Sequence, residues 1–416
     1  ISIRMPLLIY GAELNNNDET ITINNFSSLI DPQSWIEFMP KDVTKQIFNT
    51  FKKYYDPDIF SAAAKRIRSM ARAADNLCIE ERIERITAIF NTFRNPDKET
   101  VLTPWRVVNM HLGDCLGGYK FYDETNTNVI EQPQHIDKGE VTKNVFNPES
   151  RILEINSKSG LYPLYVTYSI YRSRLAAEQA LYDSELSQKQ KLDLWDLTVR
   201  DNVFVICKTQ MAKSITKRTL VGFRSTKVNT RYFEDLINQI TNKSQQFIEK
   251  VRNGKTYWKV NNDEYMKFNA IVGNPPYQVM DGGGKDTAAT PIYNKFVSIA
   301  KTISPSYLSM IIPARWYSGG RGLDEFRSEM LADKHIRELY DFIDSRSCFP
   351  AVDIAGGVCY FLWDKSNKGT CLTTSIDKNN KKDTVSRNLN DYSIFIRQSQ
   401  AVSIIEKVRL HSNEFL

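Results

Sequence analysis

Between residues 41 and 95, apolar side chains recur every three or four positions. "DIFSAAAKRIRSMARAADNL" aligns Ile59, Ala63, Ile67, Met70 and Ala74. "IEERIERITAIFNTFR" aligns Ile79, Ile83, Ile86, Phe90 and Phe93. This spacing predicts two helices of a packed layer. Pro96 breaks the pattern. Thr103-Pro104 predicts the next helix start, with Thr as the cap and Pro in the first turn. "GDCLGGYKFYDETN" and "EQPQHIDKGE" read as loops.

After residue 148 the pattern changes to short apolar runs alternating with amphipathic segments. "RILEINSKSG" is a strand and turn before a long helix, and "NVFVICKTQ" is a second strand. "YFEDLINQITNKSQQFIEKVRNG" is helical. "FNAIVGNPPY" and "YLSMIIPARWY" are strands, and "LDEFRSEMLADKHIREL" is a helix. Apolar strands alternating with helices predict an α/β fold with a doubly wound, mostly parallel sheet covered on both faces. "YDFIDS" and "GGVCYFLWDK" have no helix between them, which predicts a hairpin-like end to the sheet.

The chain has 416 residues, room for about two to four domains of ~100–200 residues. Composition shifts divide it into residues 1–25, the tail of a preceding domain; 26–100, a helical domain; 101–365, the α/β domain; and 366–416, a polar region that starts something further. The chain opens "ISIRMPLLIYG", without an initiator Met, and reads as a piece of a longer polypeptide. At 41% hydrophobic and 25% charged residues it has ordinary globular composition. No apolar run approaches the ~20 residues of a membrane span, so no membrane partner is expected. Six scattered cysteines and four histidines make no zinc pattern, so no metal is expected. Unpaired thiols fit a reducing compartment and predict a cytoplasmic protein. A net charge of +6 permits a nucleic-acid partner without requiring one.

The sharpest chemistry lies in "FNAIVGNPPYQVM". Ala270, Ile271 and Val272 form a buried strand that Gly273 ends. The carboxyl end of such a strand is where open α/β sheets place ligands. Pro275 and Pro276 fix the backbone and remove two N–H donors. An amine conjugated to an aromatic ring is a poor nucleophile. Two acceptors held against its N–H bonds push the nitrogen toward tetrahedral geometry. The Asn274 side-chain oxygen and the Pro275 carbonyl are the candidates, the latter fixed because Pro276 restricts the residue before it. Tyr277 can stack on a flat substrate. With a sulfonium methyl donor, positioning and electrostatics suffice without a strong base.

"IVGNPPYQ" resembles the catalytic motif of S-adenosylmethionine-dependent N6-adenine DNA methyltransferases of restriction-modification systems. Further stretches resemble that family in order. "VLTPWRVVNM" is similar to its N-terminal cofactor motif, "RILEINSKSGLYPL" to its cofactor loop, and "SCFPAVDIAGGVCYFLW" to a late motif whose Phe packs on the extruded base. The resemblance covers roughly residues 101–365. It implies a Rossmann-like methyltransferase sheet behind an N-terminal helical domain. It further implies a cofactor site of Thr103, Pro104, Glu154, Asn156, Gly160 and Phe233, with Asp235 beside Phe233. Asn274, Pro275, Pro276 and Tyr277 would be catalytic, and Tyr277 and Phe349 would sandwich the target base. Double-stranded DNA would be the partner. Motor or nuclease parts would precede the chain and a target-recognition domain would follow it in one longer polypeptide.

The cofactor loop departs from the family pattern, because Lys158 stands where a Gly is expected. Two other functions stay open: glutamine N5-methylation of a protein such as a release factor, because that class also uses Asn-Pro-Pro-Tyr, and an inert DNA-binding methylase-like module whose cofactor loop Lys158 has disabled. Arg66, Arg68 and Arg72, and Lys208, Lys213, Lys217 and Arg218, suit either solvated faces or DNA phosphates. "MDGGGKDTAAT" is not a phosphate loop, since Asp286 follows Lys285. It reads as a Gly-rich lid beside the catalytic strand.

Overall fold

The computed structural model of the chain describes residues 4–14, 20–40, 42–91, 102–182, 185–260, 265–280, 289–320, 322–350 and 352–411. They form two compact units, Ile1–Gly273 and Asn274–Leu416.

In the first unit, β1 (Gly118–Tyr122) and β2 (Val129–Ile136) make an antiparallel hairpin. β3 (Ile152–Ser157), β4 (Val203–Cys207), β5 (Asn229–Tyr232) and β6 (Ala270–Gly273) run parallel in the order β6–β3–β4–β5. Every residue of β3, β4 and β6 is buried. Strands buried on both faces require helices in their crossovers, and these are present. Leu161–Tyr182 and Gln188–Asn202 join β3 to β4, Gln210–Val221 joins β4 to β5, and Leu236–Asn242 with Ser244–Arg252 joins β5 to β6. This is the α/β alternation that the sequence predicts.

Four expectations for this unit need correction. The described part of residues 1–25, expected as a separate tail, belongs to this unit. Helix Met5–Gly11 is buried along its length, and Gly11 lets it lie against Gln210–Val221. A Cβ on Gly11 would stand 2.4 Å from Met211 Sδ and 2.5 Å from Ile215 Cγ1. Ser214 and Arg218 also donate to the carbonyls of Gly11 and Tyr10. The helical region up to Asn91, expected as a domain of its own, lies in the same compact unit. Buried Arg82 donates to the carbonyls of Thr219 and Arg218 at 3.0 and 2.9 Å and ties it there. Helices Pro57–Ala74 and Ile79–Asn91 form, but the first buries Phe60, Ala64, Ala71 and Ala74 and leaves Ile59 69% exposed. Small alanines let that face pack closely, which a reading weighted by side-chain size misses. Phe93 and Pro96 lie outside the described residues. The "YKFY" and "EQPQ" stretches, expected as loops, are the β1–β2 hairpin, with Phe121 and Tyr122 buried.

In the second unit, β7 (Gln278–Met280) and β8 (Ala289–Pro291) pair antiparallel. The Gly-rich segment between them, 281–288, expected as a lid, lies outside the described residues. β9 (Tyr307–Pro313), β10 (Ile336–Phe342), β11 (Val358–Asp364), β12 (Cys371–Ile376) and β13 (Lys382–Arg387) lie in the order β13–β12–β10–β11–β9. β10 and β11 are antiparallel neighbours, as their lack of an intervening helix predicts. They do not end the sheet: β12 joins β10 in parallel, and β13 joins β12. The edge expected at 365 is therefore absent. Thr373, Thr374 and Ser375 of β12 are buried; Thr suits a strand while reading as polar. Among the described residues, no helix is long and apolar enough to cross a membrane.

Candidate active site

β3 delivers two buried polar side chains to its carboxyl end. Glu154 is 6% exposed and its Oε2 has no hydrogen-bond partner. Burial pushes its carboxyl from 4.5 up to about 8, partly offset by the Ser157 side chain. Asn156 is 4% exposed, and neither its Oδ1 nor its Nδ2 is hydrogen bonded. Its φ is 74°, in the left-handed region that Asn tolerates better than most residues. Buried polar groups in native folds are nearly always paired. An unpaired carboxylate oxygen and a wholly unpaired amide on one strand end therefore mark space for a polar ligand.

Gly160 closes this loop with φ +76°, and a Cβ there would meet Thr216 Cα at 3.0 Å and Thr219 Cβ at 3.1 Å. The glycine lets the loop lie on helix Gln210–Val221. Its carbonyl accepts from Leu164 N at 2.9 Å and opens helix Leu161–Tyr182. Lys158 is half-buried within the loop. Next door, Val272 of β6 pairs with Glu154. Gly273 follows with φ +150°, its Cα face 3.4 Å (as a built Cβ) from Glu154 Cγ.

Helix Trp105–Cys115 starts one residue later than the sequence predicts. Thr103 does not cap it; the N-cap is Pro104, held extended at φ −60°, ψ 148°. The Pro104 carbonyl accepts from Val107 N at 2.9 Å and Val108 N at 3.1 Å. The helix is fixed by His111, whose Nδ1 lies 2.8 Å from the Tyr162 hydroxyl at the start of Leu161–Tyr182. Burial lowers the His111 pKa to about 3 and keeps the ring neutral. Phe233, just past β5, is buried against Phe247 and Tyr257, with ring centroids at 5.0 and 5.6 Å. Asp235 is exposed at φ 59° and opens the next helix.

The second unit begins with the Asn-Pro-Pro-Tyr turn. Pro275 is buried, while Asn274, Pro276 and Tyr277 are half-buried. The Tyr277 hydroxyl is shielded from solvent, and burial raises its pKa well above 10, with the Cys348 and Cys359 thiols adding to the rise and the Asn274 side chain opposing it. Cys348 precedes Phe349, so the turn and the 345–349 segment come together. The Tyr277 carbonyl accepts from Ile292 N at 3.1 Å, fixing the turn to helix Tyr293–Ile303. Phe349 is 1% exposed and its N–H donates to Ser345 O at 2.8 Å. Stacking on a base would require that ring to be uncovered first.

One residue escaped the sequence reading. Glu37, in helix Pro32–Phe38, reaches the end of β4, where Thr209 donates to its carboxylate. An acidic residue far from any motif gives no local signal of such a position.

A Mycoplasma pneumoniae protein described as an uncharacterized adenine-specific methylase is 36% identical over 168 residues. That match spans 36% of this chain and 40% of the relative, so the chain covers less than two thirds of that protein's length. Among solved structures, the type I restriction-modification methyltransferase subunit from Streptococcus thermophilus aligns with 94% of this chain and 67% of its own, at 11% identity and a TM-score of 0.46. A nuclease-deletion mutant of the type ISP restriction-modification enzyme LlaGI, in complex with a DNA substrate mimic, aligns with 96% of this chain and 39% of its own, at 11% identity and a TM-score of 0.42. Residues 201–349, which carry β4, β6, the Asn-Pro-Pro-Tyr turn and Phe349, match the Eco57I restriction-modification methylase family.

Proposed function

We propose that this chain transfers a methyl group from S-adenosylmethionine to the N6 amino group of adenine in double-stranded DNA, as the modification part of a restriction-modification enzyme. One observation carries the reading: the Asn-Pro-Pro-Tyr turn leaves β6, whose neighbour β3 ends in the unpaired, buried Glu154 and Asn156.

These groups fit the cofactor. Glu154 accepts from hydroxyl or ammonium donors, and Asn156 offers one donor group and one acceptor. Thr103, Pro104, Gly160 and Phe233 complete that side. When bound, S-adenosylmethionine supplies an electrophilic methyl on a sulfonium. The chain's own work is to hold the amine. Asn274 Oδ1 and the Pro275 carbonyl accept its two N–H bonds and direct the nitrogen lone pair away from the ring. Pro276 keeps that carbonyl fixed. Tyr277 stacks on one face of the adenine, and Phe349, once uncovered, on the other. The amine becomes cationic on methylation and sheds one proton to solvent, so no strong base is required. The N6 atom lies within the duplex stack, so the base rotates out to reach the turn. The reading places the chain in the cytoplasm within a longer polypeptide, with motor or nuclease parts upstream and target recognition downstream.

The test is transfer of labelled methyl from S-adenosylmethionine to unmethylated duplex DNA, with a release factor as the competing acceptor. Label in N6-methyladenine is the expected result. Label in protein glutamine, or none anywhere, refutes it. Asn274→Ala is expected to keep cofactor binding and to lose transfer by at least ~100-fold, the scale of removing one charge-stabilising acceptor or donor. Retained transfer in that variant removes the role given to Asn274.

A further inference from the structure

We infer that Glu37 is a cofactor-binding residue: the N-terminal helical segment supplies a second carboxylate to the strand ends and takes the ribose hydroxyls of the methyl donor. This rests on the methyltransferase reading above.

Glu37 is 5% exposed. Its Oε2 accepts from the Thr209 hydroxyl, while its Oε1 is buried with no hydrogen-bond partner. Thr209 caps helix Gln210–Val221 directly after β4, through Ala212 N at 3.2 Å. Cys207, the last residue of β4, pairs in register with Ser157 of β3. The Glu37 carboxylate therefore stands at the end of the strand next to the one that carries Glu154 and Asn156. Both carboxylates act on the Cys207 thiol and raise its pKa, beyond the larger effect of burial.

The segment that carries Glu37 is fastened in place. Asp31 caps helix Pro32–Phe38 through Ser34 N at 2.9 Å, and Ser34 Oγ accepts from Met211 N at 3.0 Å. Trp35 is buried and donates to Val43 O at 2.7 Å. A position fixed this firmly, with one carboxylate oxygen anchored and the other unpaired, suits an acceptor held ready for a ligand donor.

The strand order selects the donor. The amine-holding turn continues from β6, on one side of β3, and β4 lies on the other. A donor lying across the end of β3 with its methyl toward β6 sends its nucleoside toward β4. The ribose presents two adjacent hydroxyls there, and β4 ends in Cys207, Lys208 and Thr209, with no carboxylate of its own. Glu37 fills that lack from outside the sheet.

The experiment titrates the full chain by calorimetry with S-adenosylhomocysteine and with its 3′-deoxy analogue. Hydrogen bonds to charged groups contribute ~1.5–3 kcal/mol, so the wild type is expected to bind the analogue at least ~10-fold more weakly. Glu37→Gln is expected to weaken the parent ligand by a similar factor and to lose most of the difference between the two. A purely structural role would weaken both ligands alike and keep the ratio. That outcome overturns the inference, as does parent-ligand affinity in Glu37→Gln equal to wild type. Should the variant not fold, the wild type still decides: equal affinity for the two ligands refutes the assignment. Wild-type binding of the parent supports the methyltransferase reading whichever way the hydroxyl comparison falls, and no binding of either ligand sinks both.

Discussion

Glu154→Gln removes one proton-binding site and almost no volume. In the folded chain the Glu154 carboxyl releases its proton near pH 8, and in the unfolded chain near 4.5. Between those values the folded state holds a proton that the unfolded state has lost. The stabilisation is complete below 4.5 and is lost as pH rises through about 8. Each pH unit inside the window is worth ~1.4 kcal/mol. From pH 6 to pH 8, allowing for partial release near the folded pKa, the wild type loses ~2 kcal/mol that the Gln variant does not. Urea titrations of both proteins at pH 6, 7 and 8 read this directly, because every other titrating group cancels in the difference. S-Adenosylmethionine adds a second reading. On the proposed reading its donors favour the ionised carboxylate, so wild-type affinity is expected to climb toward pH 8 by up to ~10-fold per unit, while the variant's affinity stays flat. Parallel stability curves for the two proteins would refute the burial argument. A wild-type dissociation constant independent of pH would refute the contact between Glu154 and the cofactor.

Three further outcomes follow from local geometry. Asn156→Gly relieves a left-handed backbone and removes an unpaired buried amide, so stability rises by ~1–2 kcal/mol in urea unfolding while cofactor affinity falls; unchanged affinity would mean the amide faces no ligand. Gly160→Ala puts a Cβ 3.0 Å from Thr216 Cα at a φ of +76°, and costs ~2–4 kcal/mol by the same assay. Arg82→Ala leaves the carbonyls of Thr219 and Arg218 without their donor and Asp75 without its guanidinium partner, with Phe223 N still donating to its other oxygen; ~3–5 kcal/mol is expected, and a loss under 1 kcal/mol would show that water replaces the guanidinium freely.

Much of the sheet can be read from the sequence because its strands are buried on both faces and appear as apolar runs bracketed by helices. β3, β4, β6, β9 and β11 fall where those runs predict, whereas β10 begins at Ile336, inside the stretch expected as helix up to Leu339, because the helix stops at Ala332. The Asn-Pro-Pro-Tyr turn is legible for a related reason: two prolines after a buried strand leave few conformations. What escapes is decided by packing between distant segments. Helix Met5–Gly11 looks like a terminal scrap until Gly11 is seen to admit Met211 and Ile215. β12 is disguised by its threonines, and β1 and β2 by the glycines and polar residues around them. The buried face of Pro57–Ala74 is made of alanines, which carry little hydrophobic signal. Gly160 was legible as a special position, though its closest neighbours are helix atoms. Thr103 shows the opposite case: a strong local capping preference is set aside when the following proline itself occupies the cap.

The crossing of helix Met5–Gly11 over Gln210–Val221 bears on how this chain can be dissected. A polypeptide started at residue 101, where the methylase resemblance begins, would strip away Leu7, Leu8, Tyr10, Trp35 and Phe38, all of them buried. It would also bare the apolar side of the helix on which the loop ending at Gly160 lies. Trimming to the motif-bearing core should therefore yield an insoluble product, and a minimal folded version has to keep the first ninety or so residues.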